Sequence, residues 1–149
     1  MKQVKRSVLL WYSPREMYDL VIGVGTYPVF LPWCERAEIL EQVDQGMTVR
    51  LHLAYAGLRH AFTTRNTHVA EQSVVMALVD GPFSVLDGTW LFKPIGAAGS
   101  APACRIEFDL RYAFSSKALE TVLSPVFDRV ANTFVESFVQ RAEQVYGQR

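Results

Sequence analysis

The stretch SKALETVLSPVFDRVANTFVESFVQRAEQVY, Ser116 to Tyr146, decides how this chain folds. Apolar residues recur along it at Leu119, Val122, Leu123, Val126, Phe127, Val130, Phe134, Phe138, Ala142 and Val145. That three-and-four spacing is one face of an α-helix, and Asp128, Arg129, Asn132, Glu136 and Gln140 fall on the other. Ser124 followed by Pro125 reads as an N-cap with proline in the first helical turn, where its missing N–H costs nothing. Asp128 then suits the positive end of the helix dipole, and Gly147 is a natural stop. The spacing predicts a long helix from about Pro125 to Tyr146, fed by a shorter or kinked segment from Ser116 to Leu123. Such a helix is roughly 33 Å long. Its three phenylalanines need a broad apolar partner.

The preceding chain supplies strands. Lys2 to Trp11 alternates and reads as a first strand, and Ser13-Pro14 opens a short helix through Met17, Tyr18, Val21 and Ile22. Gly23-Val24-Gly25 ends that helix; it follows a helix and not a strand, so it is no dinucleotide fingerprint. Two prolines in Tyr27 to Cys34 forbid a long helix or a central strand. Strands follow at Arg36 to Val43 and at Met47 to Tyr55. A turn near Gly57 returns the chain as Arg59 to Val69, with Phe62 on the same face as Leu53. Val74 to Val79 is a continuous apolar run, which predicts a strand covered on both faces. Phe83 to Lys93 puts Leu86, Trp90 and Phe92 on one side, and Pro94 to Pro102 reads as a mobile small-residue loop. Cys104 to Phe114 alternates throughout, with Ile106, Phe108, Leu110 and Tyr112 one way and Arg105, Glu107, Asp109 and Arg111 the other. One face is core and one is water, as in an antiparallel sheet.

The expected architecture is α+β: a curved antiparallel sheet wrapped around a long C-terminal helix, with short helices between the first two strands, in a single domain over residues 1–149. Half of the 149 residues are hydrophobic and a fifth are charged, ordinary for a globular protein. Lys+Arg and Asp+Glu number 15 each, so no global field draws DNA or an anionic membrane. Two cysteines are too few for a disulfide scaffold, no apolar run approaches a membrane span, and no signal-peptide core is present. The expectation is a cytoplasmic protein.

Several local sequences resemble the START-like helix-grip superfamily, within its polyketide cyclase/dehydrase-like branch. They are Tyr27-Pro28-Val29-Phe30-Leu31-Pro32-Trp33-Cys34, Phe62-Thr63-Thr64-Arg65, Gly81-Pro82-Phe83, Leu86 through Trp90 to Phe92, Phe138-Val139-Gln140-Arg141-Ala142 and Tyr146-Gly147. That branch holds the coenzyme Q-binding proteins and the bacterial ribosome-association toxins. The resemblance implies a lipid- or quinone-sized cavity between sheet and helix, with Trp33, Tyr55, His60, Phe62, Trp90, Phe92, Phe108, Tyr112, Phe127, Phe134 and Phe138 as its candidate lining. For any one of these aromatics, simple core filling is the plainer reading; together they exceed what a tightly packed small core holds. The entrance is expected at Pro28 to Cys34 or at Gly96 to Pro102.

Other candidates carry less chemistry. His52, His60 and His68 are eight apart, about 26 Å along a strand, and do not converge as metal ligands. His60 either points inward beside Tyr55, as a polar contact for a ligand carbonyl, or is merely structural. Cys34 has no neighbouring base and reads as a buried thiol, and Cys104 as core. Glu107 and Asp109 share the solvated face with Arg105 and Arg111, so surface ion pairing is expected. Arg141 either anchors Glu38 or Glu41 or lines the pocket entrance. Arg59, Arg65, His52 and Thr63 form at most a mildly basic outer patch.

Three functions follow, in order. The first is non-enzymatic binding of an isoprenoid quinone such as ubiquinone, or a similar lipid, in support of respiration. It needs no cofactor and allows transient contact with the inner membrane. The second is inhibition of translation at a ribosomal subunit. The third is a cyclase or aromatase with His60 or Tyr112 as its acid or base.

Overall fold

Strict alternation from Cys104 to Phe114 produces the strand β7, every inward residue of which is buried. The computed structural model describes residues 1–96 and 100–149. The other strands are β1 (Lys2–Leu10), β2 (Cys34–Val43), β3 (Gly46–Tyr55), β4 (Leu58–Val69), β5 (Ser73–Asp80) and β6 (Phe83–Pro94). All neighbours pair antiparallel in the order β1-β7-β6-β5-β4-β3-β2. Irregularities at Cys34/Arg36, Ile39/Glu41, Thr63/Thr64 and Phe83/Val85 bend the strands, which lets the sheet curve around a helix. The Ala56-Gly57 turn between β3 and β4 has positive φ at both residues, as a tight two-residue hairpin requires.

Two short helices, α1 (Pro14–Ile22) and α2 (Tyr27–Phe30), lie between β1 and β2. Ser13 and Glu16 cap α1 reciprocally: the Glu16 N–H donates to the Ser13 hydroxyl at 3.1 Å, and the Ser13 N–H donates to the Glu16 carboxylate at 2.9 Å. The prolines of Tyr27 to Cys34 leave only the single turn of α2.

The last helix, α3, corrects the sequence reading. It is one helix from Lys117 to Tyr146, capped by Ser116, with Pro125 inside it. Ser124 caps nothing; its hydroxyl donates to Asp128 at 3.2 Å and meets the Lys2 ammonium. Interior proline costs roughly 3 kcal/mol. Burial of Leu123, with Leu119 packed against the core, holds the first two turns in register despite that cost. A second correction concerns Val74 to Val79. Val74 is buried, but Val75 and Val79 face outward and are exposed, so only one face of β5 is covered.

The core is an aromatic column between sheet and helix. Phe127 meets Phe83 and Tyr112, each at 4.8 Å between ring centroids. Phe134 meets Phe108 at 5.6 Å and Trp90 at 5.7 Å, and Phe138 meets Phe30 at 5.0 Å, Trp90 at 5.2 Å and Tyr27 at 5.5 Å. Such pairs contribute about 0.5–1.5 kcal/mol each beyond area burial. Phe138, wholly buried against α2 and Trp90, is the best single probe of this column. Phe138→Ala is expected to lower unfolding free energy by about 3–5 kcal/mol in urea titrations at neutral pH; a loss below about 1 kcal/mol would mean that α3 is held elsewhere.

Candidate functional site

Because β3 and β4 register as Leu51↔Phe62 and Val49↔Thr64, the residues at 62, 64 and 66 face inward beneath α3. They border a cavity of about 60 Å³, with Trp33, Phe108 and Leu110 from the sheet side and Phe127, Ala131 and Phe134 from the helix. A cavity of about 150 Å³ is known to admit benzene. As folded, the interior therefore falls short of a quinone ring. The broad hollow that the resemblance implies is mostly filled by its own aromatics.

The candidate residues divide into groups. Trp33, Phe62, Phe108, Phe127 and Phe134 line the cavity. Trp90, Phe92, Tyr112 and Phe138 are buried behind it, and the Trp90 indole N–H has no partner. His60 borders a separate recess of about 10 Å³, behind Phe62 and Phe127. Tyr55 stands outside, in a groove of about 290 Å³ between the Pro32-Trp33 turn and the helix residues Arg129, Thr133 and Gln140. Trp33 and Val130 line both the groove and the cavity, so they form the partition between them. The alternative expected entrance, Gly96 to Pro102, includes residues 97–99, which lie outside the described residues.

Sequence reading missed Thr64, Asn66, Met76 and Gly88 among the residues that border the cavity. The signal was present: Phe62, Thr64, Asn66 and His68 alternate on β4, placing two uncharged polar side chains on a face that is otherwise core. The Thr64 hydroxyl donates to the Asn66 carboxamide oxygen at 2.8 Å.

Neither acid–base candidate borders the cavity. The Tyr112 hydroxyl donates to Asp128 at 2.5 Å, and burial together with that bond pushes its pKa up. Burial alone would raise the Asp128 carboxyl, but donation from Lys2 at 2.5 Å and from Tyr112 and Ser124 holds it below the usual carboxylate range. This cluster ties α3, at Asp128, to β1 and β7. At the C-terminal end of the helix, Arg149 pairs with Glu16 at 2.6 Å and the Tyr146 hydroxyl donates to the Glu16 carbonyl at 2.9 Å. The thiols of Cys34 and Cys104 are both pushed up to about 11 by burial, which leaves them poor nucleophiles.

Arg141 makes neither expected ion pair. Its guanidinium lies over the Phe30 ring at 5.5 Å and donates to Gln144 at 3.3 Å, while Glu38 is held by His52 at 2.5 Å and Arg36 at 3.1 Å. Thr63 is also no surface residue: the β4 irregularity buries it beneath Arg50, which donates to its hydroxyl at 3.2 Å. Lys93 pairs with Glu107 at 3.0 Å, and Gln3 donates to Asp109 at 2.9 Å, on the solvated face. No group of three or more His, Cys, Asp or Glu converges on a metal-sized point among the described residues. Among the described residues, no helix is long and apolar enough to cross a membrane.

A curved sheet closed by a long C-terminal helix, with apolar space between them, defines a class. The chain belongs to the polyketide cyclase / dehydrase and lipid transport family, whose model matches residues 10–139. Among its relatives is the ribosome association toxin RatA of Escherichia coli (strain K12), 43% identical over 149 residues, covering 100% of this chain and 92% of the relative. The mitochondrial coenzyme Q-binding protein COQ10 homolog B of Xenopus laevis is 28% identical over 149 residues, covering 99% of this chain and 60% of the relative. The ZhuI aromatase/cyclase of Streptomyces sp. R1128 superposes with a TM-score of 0.80 at 17% identity, with 99% of each chain covered, which shows a shared helix-grip fold.

The Asp128 cluster gives a signed pH dependence. A carboxyl held below its ordinary pKa contributes stability that is complete above about pH 4 and is lost as pH falls through the folded value. The stability advantage of wild type over Asp128→Asn is therefore expected to be full at pH 7 and to shrink toward pH 2. An advantage that stays constant across that range, in parallel urea titrations, would remove the carboxylate from this role.

Proposed function

We propose that this chain interferes with the joining of ribosomal subunits by binding one of them. The observation that carries the reading is 43% identity, without loss of any part of this chain, to a relative named as a ribosome association toxin. The size of the interior supports the same ranking, since about 60 Å³ leaves no ready space for a quinone ring and tail. With formal charges balanced over the whole chain, contact with ribosomal RNA has to come from a local surface. The outer face of β3 and β4 offers Arg50 and Arg65, neither of which forms an ion pair among the described residues.

A second reading is favoured by one specific observation, the polar pair Thr64 and Asn66 set into an apolar cavity. In it the interior accepts a small apolar guest without catalysis. It draws on the name of the coenzyme Q-binding relative, at lower identity.

Purified subunits mixed with this protein and sedimented through a sucrose gradient test the first reading. Joined ribosomes are expected to decline, with the protein travelling with one free subunit. Arg65→Glu is expected to weaken that association and to reduce its log–log salt slope by about 1. Joined ribosomes that persist at saturating protein would overturn the proposal.

A further inference from the structure

We propose that the surface groove beside Arg65 selects RNA over DNA, with Arg65 holding a phosphate and Glu41 accepting a hydrogen bond from a ribose 2′-hydroxyl. This rests on the first reading above and gives its basic face a chemical preference. β2, β3 and β4 line up Glu41, Thr48 and Arg65 in one row across the outer face of the sheet. Plain alternation does not produce that row. Glu38 already stands on the outer face opposite Arg50, so Glu41, three residues on, belongs on the other face. The irregularity between Ile39 and Glu41 inserts one residue and turns Glu41 outward, opposite Thr48.

Glu41, Thr48 and Arg65 all border a groove of about 200 Å³, together with Val43, Gln45 and Thr67. Of the three glutamates on β2, Glu35 pairs with Arg59 at 3.6 Å and Glu38 with Arg36 and His52, whereas Glu41 forms no ion pair among the described residues. Arg65 forms none either. The two strands that carry them are about 10 Å apart, so acid and base face each other across Thr48 without meeting. The guanidinium is a fork that matches phosphate oxygens. A free carboxylate beside it repels a second phosphate and needs a donor from the ligand. The ribose 2′-hydroxyl is such a donor, and it is the group that RNA carries and DNA lacks. A single-stranded stretch, with its sugars open to a sheet face, presents phosphate and hydroxyl to one groove.

Ten-residue oligouridylate and oligodeoxyuridylate test this, since they differ only in the 2′-hydroxyl; the 2′-O-methyl form keeps that oxygen and removes its hydrogen. Each is titrated into ¹⁵N-labelled full-length protein and followed by NMR, with the amide signals of Glu41, Thr48, Arg65 and Thr67 expected to move. Wild type is expected to prefer the ribose form about five- to tenfold, the value of one solvent-exposed hydrogen bond to a carboxylate, and to bind the 2′-O-methyl form like the deoxy form. Glu41→Ala is expected to erase the preference, and Glu41→Gln, which keeps a neutral acceptor, to retain part of it. If Glu41 merely repels phosphate, both variants tighten RNA and DNA alike and leave their ratio unchanged, which overturns the proposal. A wild type without the preference, or without shifts in the groove, overturns it too. In those cases sedimentation with purified subunits still decides the ribosomal reading by itself. A ribose preference that depends on Glu41, in a protein that leaves joined ribosomes intact, upholds the groove and removes the ribosomal reading.

Discussion

Contact between the phenylalanines of α3 and the inner face of the sheet is the interaction on which the rest depends. Phe127, Phe134 and Phe138 each touch rings from two or more strands or short helices. Alternation on β6 and β7 supplies the sheet half of that column, with Trp90 and Phe108 at 4.7 Å. Without α3 the inner face of seven strands would be exposed to water. Without the sheet, α3 would be an amphipathic helix carrying an interior proline.

Polar contacts at two points along α3 fix how it seats on the sheet. Lys2, Tyr112 and Ser124 gather on Asp128, within the helix; Glu16, Arg149 and Tyr146 interlock at its C-terminal end. Beneath the helix the aromatics pack until only a small space is left, against Gly88 and the Thr64–Asn66 pair. The same packing shapes the functional reading. A nearly filled interior does not resemble a ready-made carrier for a ring with a long tail, and attention moves to the surface and to small guests.

Much of this was readable in the residues. The alternation of β7 and the Ser13-Pro14 start of α1 each follow from a local rule and formed where that rule placed them, and the three-and-four spacing of α3 located its helix from Pro125 to Tyr146 but not the turns before it. Failures came where tertiary contacts outweighed local preference. Ser124-Pro125 has the local form of a cap, yet Lys2 and Asp128 occupy Ser124 and buried Leu123 carries the helix across the proline. Val74 to Val79 has the composition of a doubly covered strand, yet its outer valines meet solvent. Arg141 pairs with neither Glu38 nor Glu41, the two carboxylates offered for it, and lies over the Phe30 ring. The aromatic list located the core but did not separate residues lining the cavity from those behind it, because that depends on ring packing and not on spacing. Asn66 was legible as a polar residue on a buried face, and only the cavity beside it gives that position meaning.

The central claim is that, among the described residues, the space left between sheet and helix is small and apolar. Xenon-pressurised crystals measure this most directly, since dry apolar cavities take up the gas. The account expects xenon between Gly88 and Phe134, beneath an unmoved α3. An interior without xenon, or elongated density from a co-purified ligand lying between sheet and helix, would contradict it.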